Sequence, residues 1–308
     1  MYRVRHQIGC DQVSYTGKDV HVVLLDTGIC KHPDLADRIE GIMDFTDHEG
    51  SGIDDNGHGT HVAGCLSGDG RASNGKYQGI APKSRIWSGK ILDRDGNGDL
   101  SQLVEALEWV VHLNDETPIQ VVNISVGASN LQKSLEFQYV TELIRYLSRR
   151  KVLFFCAAGN FAANSRTISL LGSLENVITV GCHEGSFGAG RKDLCQFYSC
   201  IGNPKAEGNH RKPDVVAPGT DIISCNLHFH ARNGRVWNGY CPKSGTSMAT
   251  PIAAGAAALF KEKYPYASVA DYKSALADSC LDVGLPFFRQ GYGMLWIPGL
   301  LNENRINE

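Results

Sequence analysis

Four short stretches hold side chains that could do chemistry. In HVVLLDTGI, residues 21–29, an apolar run ends in Asp26-Thr27-Gly28. An Asp in that place can share a proton with a second carboxylate, orient a histidine, or simply cap a turn after a buried strand. In DDNGHGTHVAGCLSG, residues 54–68, a turn signal at Asn56-Gly57 leads into a small-residue helical segment with His58 and His61. The two histidines are three apart with no Glu in the HExxH arrangement, so a zinc-peptidase site is not supported. In FFCAAGN, residues 154–160, a strand ends at Asn160, whose amide could donate to an oxyanion or serve a turn. In SGTSMATP, residues 244–251, Ser247 opens an Ala-rich helix. A Ser caps a helix start well, but the amides and dipole there also stabilise negative charge, which suits a nucleophile. Each signal is weak alone. Their order along the chain, Asp then His then Ser, is informative.

The elements around them must hold these groups together. Near-continuous apolar runs at 21–26, 85–92, 121–126, 152–157 and 177–181 read as strands buried on both faces, and 215–217 and 221–224 are later strand candidates. Helical spacing at 102–113 and 134–148 alternates with them, which implies a parallel sheet covered on both faces. The fold class expected is α/β, a three-layer αβα sandwich with a mostly parallel central sheet. Residues 246–263 predict a long helix of small side chains that can pack close to the sheet, and 269–279 a further helix. The cations Arg149, Arg150 and Lys151 fall at a helix end, where the macrodipole favours them. No Pro/Gly/Ser-rich linker divides the chain. The expected organisation is a short N-terminal extension, 1–15, and one domain over 16–308.

Composition excludes several classes. The chain has 308 residues, 42% hydrophobic and 20% charged, with a net charge of −3. That size supports a sizeable core, and that charge gives no nucleic-acid footprint. No apolar run reaches the roughly 18 residues of a membrane span. The first residues, MYRVRHQIGCDQVSYTG, show no apolar signal-peptide core. Ten cysteines occur without a CxxC pair, so they are expected to be reduced thiols in the cytoplasm. Cys225 and Cys241 flank a loop and would be a pair if the protein were exported.

The blocks VVLLDTGI, HPDL, NGHGTHVAG, GIAP, NISVG, AAGN, PDVVAPG and GTSMATP together resemble the subtilisin family of serine peptidases over residues 16–294. The resemblance implies a subtilisin-like fold and peptide-bond hydrolysis. Ser247 would be the nucleophile and Asp26 the acid that orients the histidine. The second histidine of HGTH would be the base, which selects His61 over His58. Asn160 and the backbone N–H of Ser247 would hold the oxyanion. A protein or peptide substrate would lie as an extended strand between Ser125-Val126-Gly127 and Gly96-Asn97-Gly98, where glycines allow close approach. Asp93, Asp95 and Asp99 surround the second segment and read as a solvated loop rather than a pocket for basic side chains. The stretch 161–172 would help form the main specificity pocket. It holds no acid, which speaks against strict paired-basic cleavage.

No cofactor is required by this chemistry. Asp34 of HPDL matches a structural calcium ligand in many relatives, but the long calcium loop is not recognisable, so no metal is assigned. The insertion between Ser224 and Tyr240 carries His228, His230 and Trp237 and reads as a surface loop. The short lead-in without a prodomain resembles the intracellular branch, with residues 1–12 expected to occupy part of the cleft before activation. General intracellular proteolysis and processing of one precursor both fit. A binding module that kept the fold without the activity is the competing class. An aspartic protease would need a second DTG, which the sequence lacks, or a symmetric dimer. Oligomeric state is not legible.

Overall fold

The computed structural model describes residues 1–47, 50–125, 134–160, 168–184, 195, 198–233 and 235–302. Seven parallel strands form its central sheet: β1 (His21–Asp26), β2 (Ile39–Asp44), β3 (Arg85–Lys90), β4 (Ile119–Ile124), β5 (Leu153–Ala157), β6 (Val177–Cys182) and β7 (Val215–Ala217). Their order is β2-β3-β1-β4-β5-β6-β7. The chain builds outward from β1 on one side and from β4 on the other. The order therefore reverses between β1 and β4, where crevices open at the carboxyl ends of the strands. Asp26 is the last residue of β1 and stands at that point.

Alternation along each strand splits the interior into two cores. Val22 and Leu24 of β1, with Val121, Leu153, Phe155 and Val180, face α2 (His58–Ser67) and α5 (Thr246–Lys263). Val23 and Leu25, with Val122, Ile124, Phe154 and Cys156, face α3 (Leu100–Glu116) and α4 (Leu135–Arg149). The expected three layers result. Helix α5 is buried around almost its whole circumference, which its alanines permit. At Gly255 a Cβ would come within 2.7 Å of Ile80 Cβ, so the residue must be glycine for this helix to lie so close.

Strand β2 was not expected from the sequence. It is an edge strand whose burial is mostly partial, so it lacks the continuous apolar run of its neighbours. The segment after β7 also differs from a bare loop. β8 (Ile222–Cys225) pairs antiparallel with β11 (Tyr240–Lys243), and between them β9 (His230–Arg232) and β10 (Arg235–Trp237) form an exposed hairpin carrying His230 and Trp237.

The N-terminal residues belong to the body. Helix α1 (Tyr2–Gln7) buries Val4, and Met1, Ile8 and Cys10 join the α5 core. Arg3 Nη2 donates to Thr220 O at 2.6 Å, and Arg5 Nη1 to Gly79 O at 2.6 Å. These contacts place residues 1–12 against the β8 side of the domain, and none of their hydrogen bonds among the described residues reaches Ser125 or 96–98. The expected occupation of the cleft is therefore corrected: apolar burial draws the segment into the core instead.

One disulfide, Cys182–Cys195, corrects the expectation that every cysteine is a thiol. The other eight, Cys225 and Cys241 among them, are outside any disulfide.

Candidate active site

The carboxyl edge of β1 is tied to the start of α2 by a dense set of bonds. Asp54 is buried and receives four donors. Thr27 Oγ1, Asn56 N and Gly57 N reach its Oδ1 at 2.8, 3.0 and 2.8 Å, and Thr60 N reaches Oδ2 at 2.8 Å. Gly59 N donates to Thr27 Oγ1 at 2.9 Å, and Cys30 N to Thr60 Oγ1 at 3.0 Å. Buried Lys90 closes the other side, donating to Thr27 O at 2.9 Å and Asp55 Oδ1 at 2.7 Å. The two turns thus lock face to face. A Cβ on Gly59 would sit 2.1 Å from Gly28 O, so only glycine allows this approach. Gly59→Ala should cost about 1–3 kcal/mol of stability through overpacking. It should also lower kcat roughly 10- to 100-fold by shifting the neighbouring histidine. Chemical denaturation and steady-state kinetics on one preparation check both.

That histidine is His58. It is the first residue of α2, after Gly57 in a left-handed conformation, and its Nδ1 lies 2.6 Å from Asp26 Oδ1. Thr27 N donates to the same oxygen at 2.8 Å, fixing the carboxylate's orientation. Desolvation pulls the His58 pKa down, but the Asp26 charge and hydrogen bond together outweigh it, and the net shift is upward from 6.5.

His61 does not meet Asp26, which corrects the expectation. One turn deeper in α2, it is fully buried, with Nε2 2.9 Å from Ile222 O and 3.1 Å from Cys241 O. It ties α2 to β8 and β11. Burial lowers its pKa to about 3, so it is neutral and its Nε2–H is spent on carbonyls. Both histidines belong to one motif, so type and spacing did not separate them. Position in the helix does: the first residue of α2 reaches the rim, and the residue one turn on reaches the core.

The second half of the site joins the end of β5 to the start of α5. Thr246 N and Thr246 Oγ1 donate to Asn160 Oδ1 at 2.8 and 2.9 Å, and Gly159 N donates to Thr246 Oγ1 at 3.2 Å. Two donors on one atom identify it as the amide oxygen, so Asn160 Nδ2 is the end left over as a donor. Ser247 is the second residue of α5, partly exposed, directly after these anchors. Lys243, four residues earlier, lies near enough to act on His58 electrostatically.

Among the residues expected to line a substrate strand, Ser125 is buried and accepts from Asn123 Nδ2 at 2.7 Å. Val126, Gly127 and 161–167 lie outside the described residues. The loop with Gly96, Asn97 and Gly98 is anchored to the His58 turn by Asn56 Nδ2, which donates to Arg94 O at 2.8 Å. Asp93 Oδ1 accepts from Asp95 N and Asn97 N, and Asp99 caps α3 in a capping box with Gln102, so these two acids shape the loop. Ala72 N and Tyr240 OH donate to Asp34 Oδ1 and Oδ2 at 2.8 and 2.7 Å, and Asp34, His32 and Cys225 lie close enough together to hold a metal ion. His32 beside it has Asp34 N on Nδ1 and Gly239 O at Nε2.

The parallel α/β sheet carries an acid–histidine pair at its carboxyl edge, and the helix that Ser247 opens packs against the helix that His58 opens. A family model described as "Subtilase family" matches residues 17–293, and the chain belongs to that family. It is 37% identical over 262 residues to "Serine protease AprX" of Bacillus subtilis (strain 168), covering 81% of this chain and 58% of that one. To "Subtilisin" of Bacillus sp. (strain TA39) it is 34% identical, covering 84% and 60%. To "Subtilisin BL" of Lederbergia lenta it is 33% identical, covering 87% and 86%. The chain thus spans about three-fifths of the first two relatives and most of the third. Among the described residues no helix is long and apolar enough to cross a membrane.

Proposed function

We propose that the protein is a serine endopeptidase in which Ser247 attacks the scissile carbonyl and His58, not His61, is the general base. His58 takes the Ser247 proton and returns it to the leaving amine. Asp26 holds the imidazole through Nδ1 and stabilises its charged form. Asn160 Nδ2 and the Ser247 N–H receive the oxyanion. The observation that carries this reading is the 2.6 Å Asp26–His58 pair at the sheet's carboxyl edge. The Asn160 amide, fixed onto the residue before Ser247, supports it. The chemistry needs no cofactor. The substrate is a protein or peptide laid as an extended strand along Ser125 and the 96–98 loop. The cytoplasm is the proposed compartment, supported by eight of ten cysteines outside any disulfide, although the Cys182–Cys195 bridge is of the kind that oxidising compartments favour.

A fluorophosphonate probe tests the core of the proposal. The folded protein should label on Ser247, and Ser247→Ala should abolish labelling and lower kcat by about 10⁶, the loss typical of a subtilisin nucleophile. A folded wild type that does not label is instead a binding module. On a peptide library, broad cleavage marks general proteolysis and a single motif marks precursor processing.

A further inference from the structure

We propose that the Cys182–Cys195 bridge positions the acyl-transfer site, so that the oxidised enzyme turns over faster than the same chain with free thiols. This rests on the peptidase reading above. Cys182 ends β6, and Cys195 opens a turn in which Tyr198 N and Ser199 N donate to Cys195 O at 3.1 and 2.8 Å. The turn is fastened back to the strand by Cys182 N, which donates to Ser199 Oγ at 3.0 Å.

From that turn two short routes lead to the chemistry. Cys200 N donates to Gly159 O at 3.0 Å, one residue before Asn160. Tyr198 OH pairs with Thr220 Oγ1 at 2.9 Å, and the adjoining Gly219 O accepts Gly245 N at 2.9 Å, two residues before Ser247. A Cβ on Gly219 would lie 2.7 Å from Cys182 Sγ and 2.7 Å from Gly245 O, so the bridge and the nucleophile turn sandwich that residue. The bridge therefore braces the oxyanion turn and the nucleophile turn at once. Positioning errors of about 1 Å at such groups cost on the order of 10²-fold in rate.

Both sulfurs are buried, Cys182 being 4% exposed and Cys195 0%. Exchange is accordingly set while the chain folds. Each thiol gives up its proton and the pair passes two electrons to a small-molecule disulfide, whose own S–S bond breaks to release two thiols.

The test folds the wild type with a small-molecule disulfide or with a dithiol reductant, and compares both with Cys182→Ser/Cys195→Ser. The oxidised protein should show eight alkylatable thiols after denaturation and the reduced one ten. Well below either unfolding temperature, the oxidised form should have a kcat at least about tenfold higher, with KM within about twofold. The double variant should match the reduced form under both regimes. Ten thiols in the oxidised protein, or equal kcat in all forms, overturns the proposal. So does a chain that cannot fold without the bridge, because the effect is then structural alone. Fluorophosphonate labelling of the oxidised wild type separates the two readings. No label there sinks the peptidase assignment, whereas a labelled wild type with equal rates sinks only the bridge.

Discussion

His58→Ala should lower kcat by about 10⁶ and spare the core packing, while His61→Ala should do the reverse. The first magnitude is that of a lost triad histidine in the subtilisin family itself. His58 sits at the first residue of α2 with one strong partner, so its removal takes away the base and spares the packing. Truncating His61 removes the one ring donor that ties α2 to the Ile222 and Cys241 carbonyls and leaves a cavity in the core. Losing a buried hydrogen bond together with its side chain costs about 1–3 kcal/mol. The folded fraction of His61→Ala should keep kcat within about tenfold, since the Asp26–His58 pair is intact. An opposite result, with activity dying at His61 and stability falling at His58, would restore His61 as the base. His61 should also show in acid. The unfolded chain binds its proton near pH 6.5 and the folded chain only near 3. Between those values the unfolded state holds the extra proton, so stability falls as pH falls, by up to about 1.4 kcal/mol per pH unit. Urea midpoints from pH 6.5 down to 4 should drop more steeply for the wild type than for His61→Gln, which keeps a donor but does not titrate.

Much of the sheet was legible because strands buried on both faces write themselves as unbroken apolar runs: β1, β7, α5 and α6 (Val269–Ser279) fall where the sequence put them. Edge strand β2, only half-buried, left no such run. The chemical groups Asp26, Asn160 and Ser247 were visible because each sits where an element begins or ends. What the sequence did not show was the layer holding them. Asp54 looks like an ordinary loop acid until four donors converge on it, and Lys90 reads as a strand-end cation until its ammonium is found on the Thr27 carbonyl. The choice between His58 and His61 failed for the same reason. Motif spacing is one-dimensional, whereas the DTG turn selects its partner through Gly59, which must pass under the Gly28 carbonyl. That glycine, inside the HGTH block, was the available signal: close backbone approach one residue after His58 draws that histidine, not the later one, over Asp26.

Asp26→Asn should reduce kcat by about 10⁴ and move the acid limb of the remaining activity to lower pH. Asp26 Oδ1 accepts from both Thr27 N and His58 Nδ1, so the asparagine oxygen should be held in that place and the fold kept, while the neutral amide no longer fixes the imidazole tautomer. Its new NH₂ group would then replace Oδ2, which is buried without a hydrogen-bond partner among the described residues. That costs about 1–3 kcal/mol, and the fold should survive it. The rate falls because the charge that stabilises the imidazolium is gone. The base must be neutral to accept the Ser247 proton, so wild-type activity rises as pH passes the raised His58 pKa. Without Asp26 the upward contributions of its charge and hydrogen bond vanish while desolvation remains, and the limb moves down. Stability has the opposite sense. A raised His58 pKa contributes stability in full below the unfolded value of 6.5 and loses it as pH rises through the folded value. The stability gap between wild type and Asp26→Asn should therefore be wider at pH 5 than at pH 8, with His61 common to both proteins. Paired urea titrations and kcat–pH profiles measure the two trends. A gap that widens with pH, or a limb that stays put, would show that Asp26 does not act through His58.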